Sequence, residues 1–252
     1  MYFINELKRR NPLLFWYGIL NIIAAIICIV LLQTTRVEVN GINAFYKPLK
    51  FYVSIAIFVW TMGWILNYLE MPSKVKSFNL MALLVLTYES FVITWQAANG
   101  RLSHFNTDTI FYRILFAVMG IAISVLTVWT GYLGYLFFKK KNWSLPMSYV
   151  WGIRLGILLF VVFAFEGGVM AAINKHTIGA ADGGKGLLFV NWSRQNGDLR
   201  IAHFLGMHTL QLFPLFGYFI TRNSNVVKVF AFVYLTIVVA ILTQALLGLP
   251  LL

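Results

Sequence analysis

Carboxylates and imidazoles set among long apolar runs are the residues of this sequence that can do chemistry. Glu89 falls in the middle of one such run, and Gln96 follows seven residues later on the same helical face. Glu166 lies in another run, followed by Gly167-Gly168, where a second helix can come close. A third run opens with Asp198 and Arg200 and carries His203, His208 and Gln211. Arg101 and His104 follow the run that holds Glu89, and His176 lies in a long polar connection. An ionisable group in a membrane core costs about 2.5–3.5 kcal/mol on insertion scales, so it usually faces the bundle interior and has a use.

Neutral imidazole and carboxylate are ligands for zinc, copper or iron, and imidazole is a common axial ligand of haem. His104, His203 and His208 are therefore candidate ligands of a metal ion or haem. Glu89 and Glu166 are candidate acid–base groups or additional ligands. Arg101 and Arg200, with Gln96 and Gln211, are candidate contacts for an anionic or lipidic substrate. Together these assign a metal- or haem-dependent membrane enzyme. The same Glu and His residues also suit the relay of a proton- or ion-coupled transporter, or the polar core of a receptor or structural subunit. Lys47 and Lys50 are read as cations reaching for lipid phosphate.

Spacing limits the metal reading. His203 and His208 are five residues apart, so a regular helix points them about 140° apart. The His-x-x-x-His pair of the seven-helix ceramidase-like zinc hydrolases is one residue shorter. Pro214 lies six residues beyond His208 and can disturb the turn before it.

The elements that must position these residues are membrane helices. The chain is 60% hydrophobic and only 11% charged, with mean hydropathy +0.78. Soluble domains carry about 25% charged residues, so water is excluded as the main solvent. A span needs about 20 mostly apolar residues. Seven stretches qualify: Leu13–Gln33, Lys50–Leu69, Phe78–Ala98, Ile110–Phe138, Met147–Ile173, Arg200–Thr221 and Val226–Leu249. The expected fold is all-α and polytopic, a single transmembrane bundle of about seven helices over residues 1–252. Open sheets are excluded in lipid, and the apolar runs lack the alternation of a barrel.

Loop charge sets the orientation. Lys8, Arg9 and Arg10, then Lys74 and Lys76, then Lys139, Lys140 and Lys141, then Arg222 and Lys228 fall on alternate connections with few acids. The other connections mix bases with Glu38, Asp108, Asp182 and Asp198. The N-terminus is thus expected in the cytoplasm and the C-terminus outside, with a bacterial inner membrane as the expected location. On that orientation the His and Glu residues gather in the outer half of the bundle. The net charge of +12, from 20 Lys and Arg against 8 Asp and Glu, is assigned to lipid contact; no nucleic-acid partner is expected. Cys28, the one cysteine, can form no intrachain disulfide.

Three other signals carry less. Gly179 to Lys185 matches most of a P-loop, but Gly186 replaces the Ser or Thr and no strand precedes it. Asn196-Gly197 reads as a turn. Tryptophans such as Trp16, Trp60 and Trp64 read as interfacial anchors.

Overall fold

The computed structural model describes residues 2–183, 186–187 and 189–251. It is all-α apart from four two-residue strands, and it divides into two compact units, Met1–Leu126 and Thr127–Leu252. Six helical segments among the described residues are long and apolar enough to cross a membrane: Pro12–Thr34, Tyr46–Leu69, Pro72–Ala98, Ile110–Lys139, Met147–Ala172 and Ser224–Leu246. Large apolar side chains such as Leu20, Leu84, Phe91, Val128 and Phe232 are exposed along them. Patches of that kind are unstable in water and normal in lipid. The protein is a multi-pass integral membrane protein.

The first unit opens with a short helix, α1 (Tyr2–Arg10), which turns at Asn11 into α2 (Pro12–Thr34). Pro12 can begin a helix because its missing N–H would have no partner there. The Asn11 side chain caps the turn by accepting from the Leu14 N–H at 3.2 Å. It also forms a reciprocal amide pair with Asn79, at 3.0 and 2.9 Å, with both residues buried. A tight hairpin of β1 (Glu38–Val39) and β2 (Ile42–Asn43) follows. Its two-residue turn is Asn40-Gly41, at φ +53° and +74°, the pairing that a hairpin of this hand favours. Next come α3 (Tyr46–Ile65), which tightens into a 3-10 turn at Leu66–Leu69, and α4 (Pro72–Ala98). Helix α5 (Ile110–Lys139) runs from this unit into the second.

Helices α2 and α3 meet closely. A Cβ on Gly18 would collide with the Trp60 indole, whose N–H donates to the Phe15 carbonyl at 3.1 Å. Trp60 is thus half-buried between helices and is not the interfacial anchor its sequence position suggests.

The second unit is built on α6 (Met147–Ala172). The expected sixth span is not one helix. It breaks at His208 into α7 (Leu199–Met207) and α8 (Thr209–Leu215), followed by a π-helical turn over Phe216–Ile220. Two local causes are visible. The Thr209 hydroxyl takes the Gly206 carbonyl at 2.7 Å and lies 3.1 Å from the Gly156 carbonyl. Pro214 has no N–H for the carbonyl four residues back, and its ring crowds that turn. The count of about seven continuous spans therefore reduces to six, plus this interrupted stretch. Helix α9 (Ser224–Leu246) completes the unit.

Small residues let α6 and the broken stretch touch. Gly152 and Gly156 form a Gly-x-x-x-Gly pair on α6. A Cβ on Gly152 would strike the Phe213 carbonyl, and one on Gly156 would lie 2.7 Å from the Thr209 carbonyl. At the far end the Ser148 hydroxyl donates to the Gly217 carbonyl at 2.7 Å. Buried Arg154 serves the end of α5. Its Nε donates to the Phe137 carbonyl at 2.9 Å and an Nη to the Lys140 carbonyl at 3.2 Å. A cation at a helix C-terminus is stabilised by the carbonyls it meets.

The long connection after α6 forms β3 (Thr177–Ile178) and β4 (Gly197–Asp198), paired antiparallel. Gly197 therefore lies in a strand, not in the turn expected at Asn196-Gly197. Of the P-loop-like stretch, Gly184 and Lys185 lie outside the described residues.

The glycine contact yields a direct expectation. Gly156→Val should lower stability by about 1–3 kcal/mol through overpacking, measured by thermal unfolding in detergent. Gly168→Ala is the control, because a Cβ there meets nothing within 4 Å. Equal stability of Gly156→Val and the parent would show that the close approach is not formed.

Candidate functional site

The candidate residues divide between the units: Glu89, Gln96, Arg101 and His104 in the first, Glu166, Arg200, His203, His208 and Gln211 in the second.

In the second unit, α6 and α7 bring Glu166 and His203 together. Glu166 is 8% exposed. His203 Nδ1 stands 3.2 Å from Glu166 Oε2. The two are near enough to share a proton but are not aligned as a hydrogen bond, and both Glu166 oxygens and His203 Nδ1 are buried without a hydrogen-bond partner. Gly167 makes room: a Cβ there would lie 3.1 Å from the imidazole Cε1. The close approach expected at Gly167-Gly168 thus occurs at the first glycine and admits a ring. A buried carboxylate beside an imidazole is thus a polar contact whose hydrogen-bonding capacity is unused.

His208 has other surroundings. It lies at the break between α7 and α8, with Nδ1 3.2 Å from Gln211 Oε1 and its ring 4.3 Å from the Phe204 ring centre. The histidines of α7–α8 thus serve separate partners, in keeping with their angular separation on a helix.

Arg200 is committed locally. Its Nε and one Nη reach the two Asp198 oxygens at 2.9 and 2.6 Å, and that Nη also donates to the Asn191 carbonyl at 2.6 Å. Asp198 is 1% exposed and caps α7 by accepting from the Arg200 N–H. Burial pushes the Asp198 carboxyl up, but the Arg200 guanidinium, the Ser193 N–H and His176 outweigh it and hold the group below its ordinary value. Near by, Asp182 accepts from the backbone N–H groups of His176 and Thr177. These bonds order the connection that delivers the chain into α7.

In the first unit, α4 carries Glu89 and Gln96, 5% and 1% exposed, each with a buried Oε1 that has no hydrogen-bond partner. The Lys47 ammonium acts electrostatically on both Glu89 and His104. Lys47, read from sequence as a lipid-facing cation, therefore belongs to this polar group. His104 lies in the loop after α4 among the rings of Phe51, Phe105 and Phe116, with centroids 5.8, 6.2 and 5.7 Å away. The Ser103 hydroxyl is 3.2 Å from His104 Nδ1. Arg101 follows the end of α4, with its N–H on the Gln96 carbonyl and its guanidinium 5.0 Å from the Tyr112 ring centre.

Among the described residues no group of three or more His, Cys, Asp or Glu side chains is arranged to hold a metal ion. Sequence reasoning missed three structural features on which these sites depend: the Asp198 cap, the Asn11–Asn79 pair and the glycine contact of α6. Only the last had a visible signal, its Gly-x-x-x-Gly spacing.

Burial and the Lys47 charge hold the His104 imidazole well below its ordinary value of 6.5, against a smaller opposing backbone hydrogen bond from Ser103. The folded protein thus binds this proton less readily than the unfolded chain. His104 stabilises the fold above about pH 6.5, and that contribution is lost as pH falls toward the folded value. The parent should lose thermal stability on acidification below 6.5 more steeply than His104→Phe; parallel curves would show that His104 is not held neutral. No protein-family model matches the chain, and neither a curated protein nor a solved structure shows significant similarity to it.

Proposed function

We propose that the protein is a proton- or ion-coupled membrane carrier in which Glu166 and His203 form the protonation site. The observation that carries this reading is the 3.2 Å approach of a buried carboxylate to an imidazole, with neither spent on a hydrogen bond. Intramembrane carboxylate–histidine groups are the usual parts of proton relays. Two features support it. The imidazole sits on a stretch that is broken at His208 and distorted again at Phe216–Ile220, and carriers commonly build their sites on discontinuous helices.

The order of elements also recurs. In the first unit α2 leads through a connection with a short hairpin to α3, which ends in a 3-10 turn before α4. In the second, α6 leads through a longer connection with paired strands to α7–α8, which ends in a π turn before α9. The alternation of basic connections supports an N-terminus in the cytoplasm and a C-terminus outside, and a bacterial inner membrane is part of the proposal.

Proton uptake into proteoliposomes under a potassium diffusion potential, followed with an internal pH dye, tests the proposal. The parent should exceed protein-free vesicles. Glu166→Gln should fall to background, and His203→Gln should lose at least about tenfold, as removal of a group in a proton path does. Wild-type rates in both variants would reject the site.

A second reading keeps the pair but changes its ligand. Imidazole and carboxylate in contact are also two metal-binding groups. On this reading the chain is a metal- or haem-dependent enzyme of a lipidic or anionic substrate. Within the second unit His203 would supply a ligand and Glu166 a further ligand or proton acceptor. Metal analysis and a visible spectrum of the purified protein distinguish it. A stoichiometric metal or a Soret band, lost in His203→Ala, would favour the enzyme over the carrier.

A further inference from the structure

One end of the first unit holds a cleft that belongs to neither reading. It has a volume of about 380 Å³ and lies where α2 begins, α3 ends and α4 begins. Its lining is of two kinds. Arg10 and Lys76 bring positive charge, while Leu13, Met71 and Val75 are apolar. Leu13 and Met71 are 45% and 40% exposed, so the apolar part stands at the surface of the unit and is not sealed inside it. Glu70 is on the same lining and disfavours a small free anion held by charge alone.

Three further observations identify what fits. The aromatic residues at this end mark the level of lipid head groups: Lys8 lies 5.0 Å from the Trp16 ring centre, and Arg10 lies 4.1 and 4.6 Å from those of Trp64 and Tyr68. The first turn of α4, which contributes Met71, Pro72, Val75 and Lys76 to the cleft, has no side-chain cap. The positive end of its helix dipole favours an anion. The cleft is also of the size of a small-ligand site. Charge, exposed apolar surface and depth together describe an amphiphile with an anionic head.

We propose that this cleft binds an anionic phospholipid, with its phosphate between Lys76, Arg10 and the start of α4, and the first part of its acyl chains over Leu13, Met71 and Val75. The proposal is independent of the carrier reading, because none of these residues belongs to the Glu166–His203 site. Arg10 also serves the fold: its guanidinium donates to Glu6 at 2.7 Å and lies 3.4 Å from the Trp64 carbonyl. Lys76 is exposed and can be changed without disturbing the core.

Native mass spectrometry of the full chain in detergent, with lipid added in equal amounts, tests this. Dioleoyl phosphatidylglycerol should be retained at one molecule per chain. Lys76→Glu should weaken retention about fivefold or more. Lys74→Glu, a base outside the lining, should bind like the parent, and circular dichroism should show both variants folded. Equal retention of phosphatidylcholine would overturn the proposal, as would equal losses in the two variants, which would mean diffuse attraction to basic loops. Binding of glycerol 3-phosphate as tight as that of the lipid would also overturn it, because the acyl contacts would then contribute nothing.

Discussion

Hydrocarbon offers helices no hydrophobic reason to associate, so close packing and polar contacts between helices must hold each unit together. In the second unit that contact is the approach of α6 to the α7–α8 stretch over Gly152 and Gly156. The candidate site of the unit depends on it. The approach places the Thr209 hydroxyl against the Gly156 carbonyl and a carbonyl of its own turn, and the stretch breaks there. It also sets α7 across Gly167, where the His203 ring reaches Glu166. One row of small residues on α6 thus determines both the irregularity of one segment and the pairing of two titratable groups.

The first unit solves the same problem with polar contacts. Asn11 and Asn79 exchange both hydrogen bonds between the α1–α2 junction and α4, and the Tyr52 and Thr94 hydroxyls meet at 2.8 Å between α3 and α4. Buried amides left unpaired cost about 1–3 kcal/mol each, so a reciprocal pair specifies register as well as adding stability. Lys47 and Glu89 extend this polar interior toward the loop that holds His104.

Much of the fold could be read from residue types, because lipid imposes a blunt rule: an apolar run of about twenty residues spans. Six of the seven expected stretches follow it. The sixth, Arg200–Thr221, is interrupted for a local reason that the sequence displays only in part. Pro214 is visible in the sequence, but the weight of Thr209 is not, since its second acceptor, the Gly156 carbonyl, is brought to it only by packing. Of the candidate site residues, Glu166 and His203 meet across two helices. Arg200, expected to contact an anionic substrate, is held by Asp198, two residues earlier. Side-chain competition of this kind cannot be seen in a list of charges, because it depends on where the connection after α6 turns back. Asn40-Gly41 makes the hairpin turn while Asn196-Gly197 does not, for a similar reason: Gly197 is drawn into pairing with β3 and against the end of α9.

The Asn11–Asn79 pair also has a meaning in time. Its members are 68 residues apart, and ribosomes add about 5–20 residues per second. Asn11 therefore waits about 3–14 seconds for its partner during synthesis. Throughout that interval the first hydrophobic helix is in place while its buried amide is still open to water, lipid head groups or the insertion machinery. Closure of the pair marks the arrival of α4, the third of the membrane-spanning helices of the first unit.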